Sequence, residues 1–486
     1  MSASTQAIHH GAVYLLARLL PSVLSLASIV LLTRYLSGPE YGRYALVLAA
    51  VGFINIGCFS WIGQAFYRYY AAHRGEGEGR LLATAFAGFA ASFVIAAIVG
   101  ITAASLGGGD FEGLTLVAGL LLLVGQAMTD LLGLRRNVEG RPYSYSMIQV
   151  GRGVGMIAGG VAAYLTGDLA TALFTIAVCW LAISAFAGML RWAVTARRQD
   201  ISGTLLLELL RYGAPLTFAI GLMQATNTVD RVLLALLRGD HAVGEYAAAF
   251  DLVQFIIGAL GSALSLVFLP ALIGNYAVHA REQVSAQLTS YAGVLLAVML
   301  PASVGLALVG PSMAQLLIGP ELRGEAANVM PWIAAAMFLS VIKGYYFDIS
   351  FQLAKWTKGN LIVAAATLTT TALLDLWLIP ARGAVGASQA SFGGFLVATI
   401  LSIALGTRKA LPMPLPLLDT IKVATATAAM AAVVMLVGGA GSLALNISAK
   451  VLLGVIAYAA LLILLDAIGL RRRVERLWPL LVRRSR

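Results

Sequence analysis

The residues of this sequence most able to do chemistry are ionisable side chains that stand alone inside long apolar runs. Four basic residues lie well inside such runs: Arg18, Arg152, Arg231 and Lys343. A charged group that hydrocarbon cannot solvate usually faces a polar cavity or a charged partner. Arginine also offers a planar fork of donors that matches the oxygens of phosphate groups. These positions therefore predict a cationic cavity that receives an anionic, hydrophilic ligand.

Two neutral polar residues extend the site predicted around Arg231. Gln224, Asn227 and Arg231 stand at i, i+3 and i+7, so one helix places them in a single stripe. Asp230 lies about 100° away from Arg231 around the same helix. We therefore expect Arg231 to face the cavity and Asp230 to turn towards a neighbouring helix, where a donor or a cation neutralises it.

Four acidic residues also lie inside apolar runs: Asp230, Asp251, Asp348 and Asp375. Two interpretations stay open for them, namely binding of a coupling proton or sodium ion and structural pairing that fixes helix packing. Asp348 is expected to balance the charge of Lys343, although a spacing of i and i+5 is poorly aligned for direct contact on an α-helix. The basic residues have a structural alternative too, because they can snorkel or close buried ion pairs.

The elements that hold these residues are predicted to be membrane-spanning helices. Of the 486 residues, 60% are hydrophobic and only 11% are charged, with a mean hydropathy of +0.87. Soluble domains carry about 25% charged residues. Cys58 and Cys179 lie in apolar runs and predict neither a disulfide nor a metal site, and no cofactor is expected. The net charge of +11 does not indicate nucleic acid, because the basic residues occupy short connections between apolar runs.

Apolar runs of about 20 residues or more can cross a hydrocarbon core about 30 Å thick, and fourteen such runs occur. They lie near residues 10–36, 43–66, 81–105, 113–134, 144–165, 169–190, 212–237, 243–270, 286–309, 326–351, 360–380, 384–406, 419–438 and 449–470. The sequence thus predicts an all-α integral membrane protein with about 14 transmembrane helices. The connections are short, which argues against a membrane glycan polymerase or ligase, since those enzymes usually need a large extramembrane loop.

The distribution of basic residues predicts the orientation. Of the 33 Lys and Arg residues, 23 fall in connections on the side of the N-terminus or in the C-terminal tail, and six fall on the opposite side. The six are Arg34, Arg43, Arg238, Arg323, Arg382 and Lys450. By the positive-inside rule, both termini and the even-numbered connections, such as 67–80 and 191–211, face the cytoplasm. Arg18 and Arg152 then lie in the cytoplasmic half of their helices, whereas Arg231 lies nearer the outer end of helix 7.

Two short motifs indicate an internal repeat. Gly11-Ala12 recurs as Gly213-Ala214, and "GRYA" at 42–45 recurs as "GEYA" at 244–247, each 202 positions later. A displacement of six helices preserves the orientation in the membrane, so the repeat is parallel, which is typical of alternating-access transporters. The predicted domains are an N-lobe at 1–200 (helices 1–6), a C-lobe at 201–410 (helices 7–12), and helices 13 and 14 with a basic cytoplasmic tail at 411–486.

Three stretches carry a resemblance to a known family. "LLTRYLSGPEYGRYALVLA" is similar to the first-helix signature of bacterial polysaccharide-export flippases in the multidrug/oligosaccharidyl-lipid/polysaccharide (MOP) superfamily. "RYGAPLTFAIGLMQATNTVDRVLLALLRGDHAVGEYAAAF" resembles the start of their second lobe, with its Gly-x-Pro entry, Asp-Arg pair and Gly-x-Tyr exit. "LLDLWLIPARGAVGAS", at 373–388, resembles the end of their eleventh helix. In helix number and length the likeness covers essentially the whole chain, and Asp375 departs from the neutral residue that the family leads us to expect.

The resemblance implies a non-enzymatic flippase of the bacterial inner membrane. Its implied substrates are undecaprenyl-pyrophosphate-linked oligosaccharides, which are precursors of lipopolysaccharide O-antigen, capsule or exopolysaccharide. Alternating access would carry them from the cytoplasmic to the outer leaflet, with membrane lipids and other polysaccharide assembly proteins as further partners. A lipid II flippase and a cation-coupled drug antiporter of the same superfamily are the alternatives. The buried basic residues argue against the antiporter, because a cationic substrate needs an acidic site.

Overall fold

The computed structural model describes residues 20–21, 23–73, 77–106, 113–276, 281–438 and 441–469. Within these ranges the regular secondary structure is entirely helical. The α-helices are Val23–Tyr35 (α1), Gly38–His73 (α2), Glu78–Leu106 (α3), Gly113–Val138 (α4), Pro142–Thr166 (α5), Leu169–Phe186 (α6), Met189–Thr195 (α7), Gly203–Arg238 (α8), Asp240–Tyr276 (α9), Arg281–Leu317 (α10), Arg323–Ile342 (α11), Ile349–Leu353 (α12), Lys358–Lys409 (α13), Leu417–Leu436 (α14) and Leu443–Leu464 (α15). A π-helical turn, Lys343–Phe347, joins α11 to α12.

The predicted spans correspond to these helices. Eleven helical stretches among the described residues are long and apolar enough to cross a membrane. Two further predicted spans lie on α5, with its charged Arg152, and on α13, whose 52 residues cover two predicted spans. Of the predicted first span, 10–36, the structure describes α1, and residues 10–19 lie outside the described residues. The two halves of α13 meet at Gly383, where φ is 54°. Glycine adopts this positive φ without strain, so the chain can reverse at Gly383 and the two spans pack on each other, with a Cβ on Gly394 lying 1.9 Å from Thr371 Oγ1. The predicted fold class is confirmed.

Helix packing divides the chain into two compact units, Met1–Ala247 and Ala248–Arg486, called unit 1 and unit 2. In unit 1, α8 packs closely along α2. This approach requires Gly213, since a Cβ there would lie 2.1 Å from the carbonyl oxygen of Trp61. In unit 2 the main contacts join α10 with α11, α11 with α13, and α14 with α15. The predicted lobe boundaries near residues 200 and 410 rest on the sequence repeat and stay predictions.

The two copies of the repeated motif meet within unit 1. A Cβ on Gly42, in "GRYA", would lie 1.8 Å from the carbonyl oxygen of Asp240 and 3.1 Å from the backbone nitrogen of Gly244, in "GEYA". Next to this contact, Arg43 Nε donates to Asp240 Oδ2 at 2.8 Å. The recurring glycine therefore has a packing reason, because the start of α2 and the start of α9 touch backbone to backbone.

Connections that were predicted to share one side of the membrane also contact one another in unit 1. Arg136 donates to the carbonyl oxygen of Ala187, at the end of α6, at 2.8 Å. Glu139 accepts hydrogen bonds from Arg135 at 2.7 Å and from Arg136 at 3.0 Å. Burial alone would raise the pKa of Glu139, but the two guanidinium groups outweigh it and hold that pKa below its usual range. These basic residues therefore hold the connection after α4 against the end of α6.

Candidate functional site

A polar cavity of about 460 Å³ lies within unit 1 among α2, α3, α4, α5 and α8. This volume falls in the range of small-molecule sites, about 300–1,000 Å³. Its polar lining consists of Asn55, Ser60, Gln64, Tyr67, Gln126, Asp130, Arg152 and Gln224. Phe59 and Phe89 pack on each other with ring centroids 5.0 Å apart and form an aromatic part of the wall. We call this space the polar cavity.

An ion pair lies at the wall of the polar cavity. Arg152 Nη1, on α5, donates to Asp130 Oδ1, on α4, at 2.5 Å, and Asn55 Nδ2, on α2, donates to Asp130 Oδ2 at 2.9 Å. Both carboxylate oxygens therefore have donors, from two different helices. The side chain of Asp130 is 41% exposed and that of Arg152 is 20% exposed, so both reach the open space of the cavity.

Trp180, on α6, contacts both the guanidinium and the backbone of Arg152. The guanidinium carbon of Arg152 lies 4.7 Å from the centre of the Trp180 ring, which is a favourable cation–π distance. The indole Nε1 also donates to the backbone carbonyl of Arg152 at 3.1 Å. Gly155 makes room for this ring, since a Cβ there would lie 2.9 Å from Trp180 Cδ1. The guanidinium is thus held between an aromatic face and a carboxylate.

The chemistry of the polar cavity follows from these contacts. A guanidinium has five N–H donors in a fixed fork, and the described contact with Asp130 uses Nη1. Amide and hydroxyl groups supply neutral donors and acceptors, which suit sugar hydroxyls. Asp130 and Arg152 are the charged residues of the described lining, so their formal charges cancel. The cavity is therefore polar, with one positive and one negative side chain, rather than cationic.

Comparison with protein families matches residues 8–275 to the family described as polysaccharide biosynthesis protein. That match covers more than half of the chain. The chain belongs to this family, and with it to the flippases of the MOP superfamily. Comparison with proteins of curated function gave no match.

Solved structures show the same fold as this flippase at low sequence identity. The lipid II flippase MurJ, in an inward closed conformation, has a TM-score of 0.77 at 14% identity, covering 93% of this chain and 98% of that one. An inward-facing multidrug resistance MATE transporter has a TM-score of 0.63 at 14% identity, covering 81% and 97%. A MOP superfamily transporter from Pyrococcus furiosus, described as having a binding pocket of reverse polarity, has a TM-score of 0.51 at 15% identity, covering 81% of this chain and 95% of that one. The fold is shared, while the pocket that determines the substrate is each protein's own.

The flippase brings two of the predicted binding residues together. Arg152 and Gln224 both line the polar cavity. Asn227 is half-buried on the same helix, and Arg231 is buried with 8% exposure; neither belongs to the described lining of this cavity. Arg18 lies outside the described residues.

Asp230 has a partner that the sequence did not indicate. The Tyr246 hydroxyl, on α9, donates to Asp230 Oδ2 at 2.5 Å, and the Asp230 side chain is almost fully buried. The carboxylate thus contacts a residue of a neighbouring helix, as expected from its position on α8. Asp251, on α9, is half-buried, and Asp375, on α13, is fully buried. Their ion-coupling and structural interpretations both stay open.

Lys343 and Asp348 form a buried ion pair in unit 2. Lys343 Nζ donates to Asp348 Oδ2 at 2.6 Å, and Ser402 Oγ donates to Asp348 Oδ1 at 2.7 Å. The expectation that i and i+5 would be poorly aligned is wrong here, because the chain is π-helical at this point. Asp348 N donates to the Lys343 carbonyl, the i+5 hydrogen bond of a π-helix, and this brings the two side chains onto one face. Lys343 is therefore locally neutralised.

The polar residues of the cavity that the predicted site lacks are Asn55, Ser60, Gln64, Tyr67, Gln126 and Asp130. The predicted fourth span ended near residue 134, which put Asp130 close to a helix end, but α4 continues to Val138. The sequence does contain a pattern that indicates the two cavity residues on α4. Gln126 and Asp130 are four residues apart inside an apolar run, so they share one helix face.

Proposed function

We propose that this flippase moves undecaprenyl-pyrophosphate-linked oligosaccharides from the cytoplasmic to the outer leaflet of the bacterial inner membrane by alternating access. The family supports a lipid-linked substrate of polysaccharide biosynthesis. The single observation that carries the choice of an anionic headgroup is Arg152, which reaches a polar cavity inside membrane-spanning helices. Arg152 is ten residues into α5, about 15 Å along its axis at 1.5 Å per residue. A pyrophosphate at this depth requires a group that replaces its hydration.

In the proposed mechanism, the pyrophosphate binds the free edge of the Arg152 guanidinium while the sugars meet the amides of Gln64, Gln126 and Gln224. Before the substrate binds, Asp130 pairs with Arg152. Without this pairing, a single charged side chain at the centre of a span would cost about 2.5–3.5 kcal/mol of insertion free energy. Trp180 keeps the guanidinium in place when the carboxylate is displaced. In the proposed orientation, with both termini in the cytoplasm, the contact between the starts of α2 and α9 lies at the outer surface.

A drug antiporter is a second candidate, and a specific observation favours it. Asp130 is about twice as exposed as Arg152, so a cationic substrate would find a carboxylate in the polar cavity. Buried basic residues also exclude a cationic substrate less strongly in this protein, because Arg152 and Lys343 both have acidic partners. Substitution separates the candidates. Arg152→Gln should abolish export of an anionic lipid and spare drug resistance, whereas Asp130→Asn should abolish drug resistance.

The experiment that tests the proposed substrate is depletion of the protein from growing cells. We expect a lipid-linked oligosaccharide of an exported polysaccharide to accumulate on the cytoplasmic leaflet, where added membrane-impermeant glycosidases do not reach it. Accumulation of lipid II instead would assign the protein to peptidoglycan synthesis, and loss of drug efflux with normal glycan lipids would assign it to the antiporters. Coupling to a proton or sodium gradient, and the identity of assembly partners, stay predictions.

A further inference from the structure

Two connections of unit 2 come together around Trp356. This half-buried tryptophan lies between α12 and α13, and the ammonium of Lys409, at the end of α13, lies 5.8 Å from the centre of its ring. Four basic residues stand within two positions of this contact, and all four are exposed. We call these four residues and Trp356 the basic patch; the four are Lys355, Lys358, Arg408 and Lys409.

The charge of the basic patch is not cancelled by nearby acidic residues. None of its four basic side chains forms an ion pair within the part of the chain that the structure describes. The sequence around them has no acidic residue at 349–374 or at 376–418. Arg135 and Arg136 differ, because both pair with Glu139. The basic patch therefore presents four positive charges on one exposed surface.

Lys355 occupies a backbone position that favours glycine. α12 ends in a Schellman motif, in which Trp356 N donates to the Phe351 carbonyl at 2.8 Å and Lys355 N donates to the Gln352 carbonyl at 3.1 Å. The rings of Phe351 and Trp356, 5.5 Å apart, make the apolar contact that accompanies this motif. Lys355 has φ 55°, where a Cβ is disfavoured and glycine is usual. The helix end therefore does not explain a lysine here, whereas its exposed ammonium adds a charge to the patch.

The basic patch lies where lipid-facing surface gives way to polar surface. Lys358 begins α13, and Ile362, one turn further along, is 46% exposed. Near the end of α13, Ile403 is 38% exposed and precedes Arg408 by little more than one turn. Exposed isoleucines on membrane-spanning helices face hydrocarbon, so the charges beside them stand at the depth of the headgroups, where tryptophan is also enriched. An acidic soluble protein would need the charges alone, whereas a lipid matches the charges, the tryptophan and the isoleucines.

We propose that the basic patch binds the phosphate headgroup of an anionic phospholipid. Clusters of four or more basic residues beside a membrane-spanning helix suit such headgroups. The lysine ammonium groups and the Arg408 fork contact the phosphate oxygens, and Trp356 lies beside them at the interface. In the predicted orientation both connections face the cytoplasmic leaflet. None of these residues lines the polar cavity, so the inference holds whichever glycan lipid the flippase carries.

Native mass spectrometry of the purified protein, with phosphatidylglycerol or phosphatidylcholine added to the micelles, tests the proposal. We expect phosphatidylglycerol to bind several-fold more tightly. Lys358→Gln and Lys409→Gln should each weaken its binding roughly five-fold, which is the contribution of one basic residue near a membrane surface. Arg382→Gln is the matched control, because Arg382 is exposed on the same helix but lies about 36 Å from Lys358 along the axis at 1.5 Å per residue. Equal binding of the two lipids, or an equal loss in the control, would overturn the proposal.

Lys355→Gly separates lipid binding from folding. Glycine adopts the positive φ without strain, so this variant should melt at or above the wild-type temperature in phosphatidylcholine micelles. Its affinity for phosphatidylglycerol should nevertheless fall roughly five-fold. Lys355→Arg keeps the charge and should bind like the wild type. A lower melting temperature with unchanged affinity in Lys355→Gly would show that the lysine serves the fold, and would refute its place in the patch.

Competition distinguishes the lipid from other anions. Millimolar inorganic phosphate should not displace phosphatidylglycerol, because a free phosphate lacks the acyl chains that keep the headgroup at the interface. Displacement by inorganic phosphate would assign the patch to a free anion. A glutamate-rich peptide that binds the wild type more tightly than phosphatidylglycerol does, and that Lys358→Gln weakens, would assign it to an acidic protein. Either result would overturn the phospholipid as the ligand.

Discussion

The ion pair between Asp130 and Arg152 predicts an asymmetric response to removal of its two members. Asp130→Ala leaves Arg152 with the Trp180 face but without a carboxylate, inside a membrane-spanning helix. Arg152→Ala leaves Asp130 with the hydrogen bond from Asn55 and with 41% of its side chain open to the cavity. Asp130→Ala, which leaves Arg152 without its carboxylate, should therefore lower the free energy of unfolding more than Arg152→Ala, which leaves Asp130 without its guanidinium.

The expected losses of unfolding free energy lie between two limits. Exposed ion pairs contribute about 0–1 kcal/mol, whereas loss of one partner from a buried pair costs about 3–5 kcal/mol. Arg152 is one-fifth exposed, so we expect Asp130→Ala to lower the free energy of unfolding by about 2–3 kcal/mol, between those limits. Arg152→Ala should cost about 1 kcal/mol, because Asp130 stays hydrated and bonded. The double variant should recover about 1–2 kcal/mol relative to the sum of the two single variants.

Reversible unfolding in mixed micelles, titrated with sodium dodecyl sulfate, measures these free energies. Gln126→Ala is the control, since Gln126 lines the same cavity and lies one turn from Asp130, with no part in the ion pair. Single-variant effects that add within about 0.5 kcal/mol would refute a direct coupling. A larger loss in Arg152→Ala than in Asp130→Ala would refute the assignment of Arg152 as the group that needs compensation.

Three further predictions concern topology, helix capping and α8. Cysteines placed at Arg198 and at Arg382 should react with an impermeant thiol reagent from opposite sides of the membrane, and same-side labelling would contradict the fourteen-helix orientation. Asp168 caps α6 and its hydrogen bonds to Thr171 hold its pKa low, so the stabilisation it provides is present above the unfolded-state pKa and is lost as pH falls through the folded-state value. Asp168→Ala should cost about 1 kcal/mol by thermal melting at neutral pH, whereas Asp168→Asn should keep the cap and lose the acid dependence; an equal loss in both would exclude capping. Asp230→Ala should lower the amount of folded protein, because it removes the buried carboxylate that accepts a hydrogen bond from Tyr246; a wild-type amount of folded protein would contradict this role.

The apolar runs were sufficient to predict the helices, because a bilayer admits few alternatives for a chain of this composition. Gly383 shows what they do not reveal, since the chain passes from one predicted span to the next through a single non-helical residue, without a longer loop. For the site, the sequence marked Arg152 as a charge in an apolar run but did not give its partners. Asn55 and Trp180 come from other helices, and their contacts depend on helix rotation and on small residues such as Gly155. Lys343 illustrates the same point, because the π-helical turn that pairs it with Asp348 has no signature in the apolar pattern.

The most direct test of the account is a flipping assay with purified protein in proteoliposomes. The substrate is a polyprenyl-diphosphate oligosaccharide with a fluorescent sugar, and a membrane-impermeant reductant measures how much of it reaches the other leaflet. We predict rapid transfer by the wild-type chain, none above protein-free vesicles by Arg152→Ala, and partial transfer by Arg152→Lys, because lysine keeps the charge but loses the fork. Arg382→Ala, which removes an exposed arginine that is not part of the described lining of the polar cavity, should transfer at the wild-type rate. Wild-type transfer by Arg152→Ala would contradict the central claim that Arg152 binds the pyrophosphate.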